Sequence, residues 1–147
     1  MKNDFASYFT QYLNQIQHEI NSYQDEEDIW KTVGDSKNSA GNLCLHIVGN
    51  LNHFIGKALA GTTYIRNRDA EFEQKHISKD QLIEDIEHVK VLIDKTLPHI
   101  NNLTDLYPDG FGHENGSIHF ELLRLLAHLA YHTGQINYHR RAFADIV

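Results

Sequence analysis

The sequence predicts an all-α protein built as a four-helix bundle, and three observations support that prediction. Apolar residues recur at three- and four-residue steps along much of the chain, which is the spacing of one helix face. Nowhere does the alternation of apolar and polar residues that is typical of strands persist. The prolines, Pro98 and Pro108, leave long stretches free of the residue that breaks helices. Four helical stretches without strands are typical of a bundle.

The first two helices are predicted over about residues 2 to 24 and 39 to 61. Ser39 is a suitable N-cap for the second helix, and Gly61 is a suitable residue to end it. Between the two helices, an acidic connection contains Trp30, which we expect to pack against the core. The core face of the first helix carries five residues at helical steps: Phe5, Phe9, Tyr12, Ile16 and Tyr23.

The third and fourth helices are predicted from about residue 78 to Pro98 and from about residue 117 to 142. Ser78 with Gln81 three positions later is a capping-box pattern, in which each side chain bonds the backbone of the other residue. The third helix directs four apolar residues toward the core: Leu82, Ile86, Val89 and Ile93.

The two longest connections, residues 61 to 77 and 99 to 116, are too long for tight helical hairpins. We expect them to cover one end of the bundle. The length of 147 residues suits one domain with one core, and we expect that domain to span residues 1 to 147.

The charge balance and the cysteine count exclude several classes of protein. Lys and Arg total 13 against 20 Asp and Glu, and the resulting charge of −7 disfavours nucleic acid as a partner. The single cysteine, Cys44, excludes an internal disulfide and a cysteine-rich zinc site, and we expect it to be a buried apolar filler. The chain shows neither a signal-peptide pattern nor a membrane-length apolar run, so we expect a cytoplasmic protein without a membrane partner.

Two of the predicted helices each carry a line of polar residues on one face. His128, His132, Gln135 and His139 lie at three- and four-residue steps on the fourth helix. On the second helix, the equivalent line consists of Asn42, His46, Asn50 and His53.

These lines have two interpretations. A polar line on an apolar helix is often a solvated face, and 11 histidines make one pair at four-residue spacing expected by chance. However, residues 38 to 56 and 125 to 139 contain no Asp, Glu, Lys or Arg, which is unusual for a solvated surface. We therefore expect the two lines to face each other, or a shared cleft.

Neutral imidazoles that face each other in a partly dry cleft can bind a metal ion. His128 and His132 supply two ligands from one helix face, and a third from the second helix leaves a coordination position open for water or substrate. His46 and His53 are two turns apart, about 10 Å, so only one of them can reach the same ion. Gln135 and Asn50 are then expected to orient a ring or a bound water molecule.

Two other histidine-containing sites do not fit the sequence. The metalloprotease motif H-E-x-x-H requires Glu directly after the first histidine, where this chain has Leu129. A di-iron site requires paired Glu-x-x-His helices. Glu84, Glu87 and His88 lie opposite the predicted core face of the third helix.

Three segments together resemble the DinB-like superfamily, in particular a branch known only as a domain of unknown function. They are "LCLHIVGNLNHFIG", "RNRDAEF" and "HLAYHTGQINYHRR". The most specific part is H-x-x-x-H-x-G-Q, which is present as His128, His132, Gly134 and Gln135 and is preceded by His46. The resemblance implies an up-down-down-up four-helix bundle, often a homodimer.

The same resemblance implies a divalent metal ion, commonly zinc or nickel, held by His46, His128 and His132. His53 and His139 are then expected to line the cleft or its rim. Characterised relatives in the superfamily include S-transferases and an isomerase that use low-molecular-weight thiols such as bacillithiol or mycothiol. Others are described as metal-dependent hydrolases.

Our leading hypothesis is a metal-dependent enzyme that acts on a small molecule, by thiol S-transfer or by hydrolysis. Because no general base stands out in the sequence, the catalytic residues are unassigned and we expect activation by the metal itself. The alternative is a non-enzymatic, homodimeric, stress-related binding protein with a structural metal site.

Arg66 and Arg68 in the connection between the second and third helices have two interpretations. They could bind an anionic thiol cofactor or a substrate carboxylate. The favoured interpretation is an ion pair with one of the neighbouring acidic residues, which would fix the connection in place: Asp69, Glu71 or Glu73. The other histidines are expected in loops or at the surface: His18, His76, His88, His99, His113 and His119.

Overall fold

The computed structural model describes residues 1 to 112 and 116 to 144, and within these ranges every regular element is helical. His113, expected at the surface, lies outside the described residues. The four longest helices are α1 (Lys2–Asn21), α2 (Ala40–Leu51), α5 (Lys79–Thr96) and α6 (Ile118–Ala142). The all-helical prediction is therefore confirmed for the described part of the chain.

Helix α2 continues directly into a π-helical segment (Asn52–Lys57) and a final turn, α3 (Ala58–Ala60). Ser39 caps its beginning, since its side chain accepts a hydrogen bond from the Asn42 backbone N–H. Gly61 ends it in the left-handed conformation, with φ of +69°. Both ends agree with the prediction, whereas the π-helical segment was not anticipated.

The other helix ends differ from the prediction in detail. Helix α1 ends at Asn21, three residues earlier than expected. Ser78 accepts a hydrogen bond from the Gln81 backbone N–H, but the Gln81 side chain donates to Asp85. Only half of the predicted capping box therefore forms.

The connections contain short helices. A 3₁₀ helix (Glu26–Trp30) places Trp30 against Gly41, where an added Cβ would lie 2.6 Å from the indole ring. The connection between α3 and α5 contains α4 (Arg68–Glu73), where no helix was predicted.

The connection that contains α4 packs along α2. The Asn42 side-chain amide donates hydrogen bonds to the backbone oxygens of Glu71 and Gln74. This corrects the expectation that the connection covers an end of the bundle, because it lies beside the helix that carries His46.

Helix α1 packs against α5 and α6. Its beginning lies near the beginning of α6, where the Phe5 and His119 rings are 5.6 Å apart. Its end lies near the end of α6, where Asn137 donates a hydrogen bond to Glu19 at 2.6 Å. Lys2 donates to the backbone oxygen of Ile100, just beyond α5.

Helix α2 packs against α5, α6 and α4. His46 on α2 lies against His128 on α6, and Phe54, in the π-helical segment that follows α2, lies against Arg124, which is one turn earlier in α6 than His128. Apolar residues from α1, α2, α5 and α6 fill one continuous core. None of the helices in the described ranges combines the length and apolar character needed to cross a membrane.

Candidate metal centre

Three histidines, one from α2 and two from α6, converge on one point: His46, His128 and His132. We call them the histidine triad. The Nε2 atom of His128 lies 3.1 Å from Nε2 of His46 and 3.0 Å from Nε2 of His132. Ligand nitrogens of all three rings lie within 4.8 Å of one another, and the group could hold a metal ion.

The outer nitrogens of two triad rings fix their tautomers. His132 Nδ1 lies 2.7 Å from the side-chain oxygen of Gln135, and His46 Nδ1 lies 3.0 Å from a carboxylate oxygen of Glu71. Both oxygens accept, so each Nδ1 carries the hydrogen. In the neutral rings, Nε2 of both His46 and His132 therefore presents a lone pair to His128.

This arrangement fits a cation better than it fits hydrogen bonds among the rings. His128 Nε2 carries at most one hydrogen, yet it faces the Nε2 lone pairs of both His46 and His132. At least one of these two close nitrogen–nitrogen contacts therefore has no hydrogen to share. A zinc ion bound by two imidazoles at about 2.05 Å in tetrahedral geometry separates their nitrogens by roughly 3.3 Å. The distances to His128 are close to that separation.

Burial favours the neutral, metal-binding form of the α6 histidines. Desolvation, the largest effect, and the nearby His132, His46, Arg124 and Arg66 together lower the pKa of His128 to about 4. Desolvation also lowers the pKa of His132, although the hydrogen bond to Gln135 acts in the opposite direction. Both rings are therefore neutral at neutral pH, without the competition from protons that weakens metal binding.

Glu71 on α4 holds His46 and is itself held by Arg66. The Arg66 guanidinium donates two hydrogen bonds of 2.9 Å to the carboxylate, which is 6% exposed. Burial raises the pKa of Glu71, but the hydrogen bonds from His46 and Arg66 outweigh burial and hold the pKa below its usual value. The carboxylate is therefore ionised and orients the His46 ring.

The family model described as "Protein of unknown function (DUF1572)" matches residues 2–145. The chain belongs to this family. No curated protein and no solved structure shows significant similarity to the chain.

In this DUF1572 chain, Arg66 and Arg68 have different surroundings. Arg66 forms the ion pair with Glu71 that the favoured interpretation anticipated, whereas Arg68 stacks over the Phe72 ring at 5.2 Å. The link from Glu71 to His46 was missed, because the two residues are 25 positions apart and no periodicity connects a loop carboxylate to a helix face.

Gln135, predicted to orient a ring or a bound water molecule, accepts a hydrogen bond from Nδ1 of His132. Asn50 is buried on the same side of α2 as His46, and its side-chain oxygen has no hydrogen-bond partner among the described residues. His53 is half-buried against the rings of Phe54 and Phe111.

His139 lies two turns beyond His132 on α6 and is bound on both sides of its ring. Its Nε2 donates to the Lys31 backbone oxygen at 2.7 Å, and its Nδ1 accepts from the Tyr23 hydroxyl at 2.6 Å. His139 therefore ties the end of α6 to the connection that follows α1.

A cavity of about 420 Å³ lies beside Gln135 and His139. Its volume is within the usual range for small-molecule sites. The other lining residues carry no charge: Val33, Ser36, Asn38, Leu43, Tyr138 and Ala142. Because Gln135 lines it, the cavity is separated from His132 by one side chain.

Proposed function

We propose that the histidine triad binds one divalent metal ion, zinc or nickel, and that the protein is a metal-dependent enzyme for a small molecule. The observation that carries the proposal is the convergence of the three Nε2 atoms, with Nδ1 of His46 and His132 held by Glu71 and Gln135. Three protein ligands leave a coordination position open, which is typical of catalytic zinc sites.

A divalent ion lowers the pKa of a thiol or a water molecule that it binds, so that a nucleophile is present near neutral pH. Two reactions follow from this chemistry. In S-transfer, a low-molecular-weight thiol would lose its proton and its sulfur would bond to an electrophilic carbon while the bond from that carbon to a leaving group such as halide breaks. In hydrolysis, the oxygen of water would bond to an acyl carbon, the bond to the leaving alcohol would break, and the alcohol oxygen would take up a proton. The protein supplies a partly dry triad in which burial keeps His128 and His132 neutral, and Gln135 and Glu71 keep two of its rings in place.

The proposal includes membership of the DinB-like superfamily and an up-down-down-up arrangement in a single domain. Contacts between three pairs of helices support that arrangement. The beginning and end of α1 contact the beginning and end of α6, so these two helices are parallel. Lys2 at the beginning of α1 lies near the end of α5, so α1 and α5 are antiparallel. The contacts of His46 with His128 and of Phe54 with Arg124 make α2 antiparallel to α6. We further propose a cytoplasmic homodimer without nucleic-acid or membrane partners, consistent with the charge of −7.

A second candidate is a non-enzymatic stress-related binding protein with a structural metal. The observation in its favour is that the triad joins α2 to α6, so an ion bound there would crosslink two helices distant in sequence. A structural ion contributes directly to the free energy of folding, whereas a catalytic ion need not.

The variant His128→Ala separates the two candidates. An enzyme loses the metal and its activity with a shift of only a few degrees in Tm, whereas a structural site loses stability sharply. His88→Ala is the matched control, since His88 is exposed on α5 far from the triad in sequence. Metal content and Tm are measured on the same preparations of all three proteins.

The enzymatic proposal itself is tested with metal-loaded protein, a set of small thiols and an aryl halide, and in parallel with activated esters. We expect thiol consumption or ester cleavage that disappears when a chelator removes the metal. Equal rates with loaded and chelated protein in both assays would contradict an enzymatic role.

A further inference from the structure

Beside the histidine triad, three buried polar atoms have no hydrogen-bond partner within the described ranges: Asn50 Oδ1, His53 Nδ1 and Arg124 Nη2. Asn50 is only 5% exposed. A buried polar atom without a partner destabilises the folded protein, so a group of such atoms in one place calls for an explanation, such as a bound ligand, ion or water molecule.

Two of the three residues contact one aromatic ring, that of Phe54, and the third lies about one helical turn before it. The His53 ring lies 4.8 Å from the Phe54 ring, and the guanidinium carbon of Arg124 lies 5.1 Å from it. Asn50, in the last turn of α2, precedes Phe54 by four residues, about one turn of the helix. The unpartnered atoms thus belong to one cluster, which we call the Phe54 cluster.

The Phe54 cluster borders the triad. Asn50 follows His46 by one turn on α2, and Arg124 precedes His128 by one turn on α6. Phe54 contacts Arg124 as His46 contacts His128. Asn50 and Arg124 therefore lie on the same side of the triad. A small molecule in this cluster would therefore lie next to a metal ion held by the triad.

The backbone at the cluster is unusual. His53 and Phe54 lie in the π-helical segment (Asn52–Lys57) within an otherwise α-helical run. Such π turns are rare and occur frequently at functional sites. This backbone feature, independent of the unpartnered side-chain atoms, points to the same place.

The charges at the cluster favour an anion. Arg124 uses Nε to bind the buried carboxylate of Glu121 at 2.9 Å, which leaves its Nη2 hydrogens available. Arg66, whose guanidinium carbon is 5.8 Å from the Phe54 ring, is paired with Glu71. Each arginine is neutralised by one carboxylate, so a bound divalent cation would leave the region net positive.

We infer that the Phe54 cluster binds a small organic acid that carries a hydroxyl or amino group beside its carboxylate. Arg124 Nη2 donates to the carboxylate, Asn50 Oδ1 accepts a hydrogen from the neighbouring hydroxyl or amino group, and His53 Nδ1 provides a second polar contact. This inference rests on the proposed function, because it names the substrate class that the metal site would act upon.

Three small probes of similar size test the inference by calorimetric titration of the full chain, both metal-loaded and metal-free. Lactate has a carboxylate and a hydroxyl, propionate lacks the hydroxyl, and lactamide lacks the charge. We expect lactate to bind about tenfold more tightly than either analogue, as expected for the loss of one charge-assisted or buried hydrogen bond. The same order is expected without metal, at lower affinity for all probes.

Two variants locate the binding. Asn50→Leu removes a buried amide oxygen that has no hydrogen-bond partner, so we expect a raised Tm without ligand and about tenfold weaker lactate binding. Arg124→Gln is expected to abolish the preference for lactate over lactamide. Arg124→Gln also leaves Glu121 buried without a cation, which could disturb folding. Asn50→Leu is therefore the decisive variant. Arg141→Gln, exposed near the end of α6, is the control.

Equal binding of lactate and lactamide, or unchanged lactate affinity in Asn50→Leu, would overturn the inference and indicate that these atoms are paired by water alone. Lactate binding that depends on Asn50 in metal-free protein supports the inference even if the triad binds no metal. Failure of the proposed function can therefore be told apart from failure of this inference. The first would be seen as an absence of bound metal, and the second in the lactate titrations.

Discussion

Glu71 accepts the Nδ1 hydrogen of His46 at 3.0 Å, so that a carboxylate on a short connecting helix fixes the ring of a candidate metal ligand on α2. Arg66 holds the carboxylate from its other side. Gly49, three residues after His46, makes the approach possible, because an added Cβ would lie 1.9 Å from Glu71 Oε2. Orientation of a ligand by a hydrogen-bonded carboxylate also strengthens the ligand as a base.

The variant Glu71→Gln is expected to weaken metal binding by about 10- to 100-fold, because the amide neither carries the charge nor fixes the His46 tautomer as firmly. Competition with a chromogenic chelator measures the affinity. Glu73→Gln, exposed on the same short helix, is the control and should behave as the unmodified protein. An affinity for Glu71→Gln within twofold of the control would show that the carboxylate does not support the site.

The variant Gly49→Ala is expected to lower the free energy of unfolding by about 1–3 kcal/mol, because its methyl group occupies the space of the Glu71 carboxylate. Denaturant unfolding measures the effect. The matched control is Gly134→Ala on α6, where an added Cβ meets no atom of the described residues within 4 Å. That control should gain roughly 0.5–1 kcal/mol, the usual helix preference for Ala over Gly. Equal effects of the two variants would contradict the tight approach.

The features that could be predicted from sequence depend on local spacing. Helical periodicity and the capping residues Ser39 and Gly61 set α2, and one-turn spacing placed His128 and His132 together. Choosing His46 over His53 required the family resemblance, since both lie on the predicted polar face. The structure places His46, not His53, against His128.

The features that could not be predicted depend on contacts between distant segments. Helix α4 was missed because its six residues are too few to show a periodicity, and its packing on α2 depends on Asn42. His139 was grouped with the cleft residues because of its spacing. Its two ring nitrogens form hydrogen bonds with Tyr23 and Lys31, which lie more than 100 residues earlier in the chain.

His139 gives the protein a pH-dependent stability. Burial lowers the pKa of His139 below its usual value, even though the hydrogen bond to Lys31 and the Asp28 charge act in the opposite direction. The unfolded chain, with a histidine pKa of about 6.5, therefore binds more protons than the folded chain in mildly acidic solution. The contribution of His139 is fully present above that pKa and is lost as the pH falls through the folded-state value.

Denaturant unfolding of metal-free protein between pH 8 and pH 5 checks this expectation. The free energy of unfolding should decrease with falling pH less steeply in His139→Gln than in the unmodified protein, while the exposed His88→Gln retains the unmodified slope. A slope that is identical in all three proteins would show that His139 does not contribute.

The most direct test of the account is the metal content of untagged protein purified without a nickel column, measured by inductively coupled plasma mass spectrometry. We predict about one zinc or nickel ion per chain, as expected for a single three-histidine site. Replacement of His46, His128 or His132 by Ala should remove the ion, and His88→Ala should retain it. Protein that is isolated without metal and takes up neither zinc nor nickel at micromolar concentration would contradict the central claim.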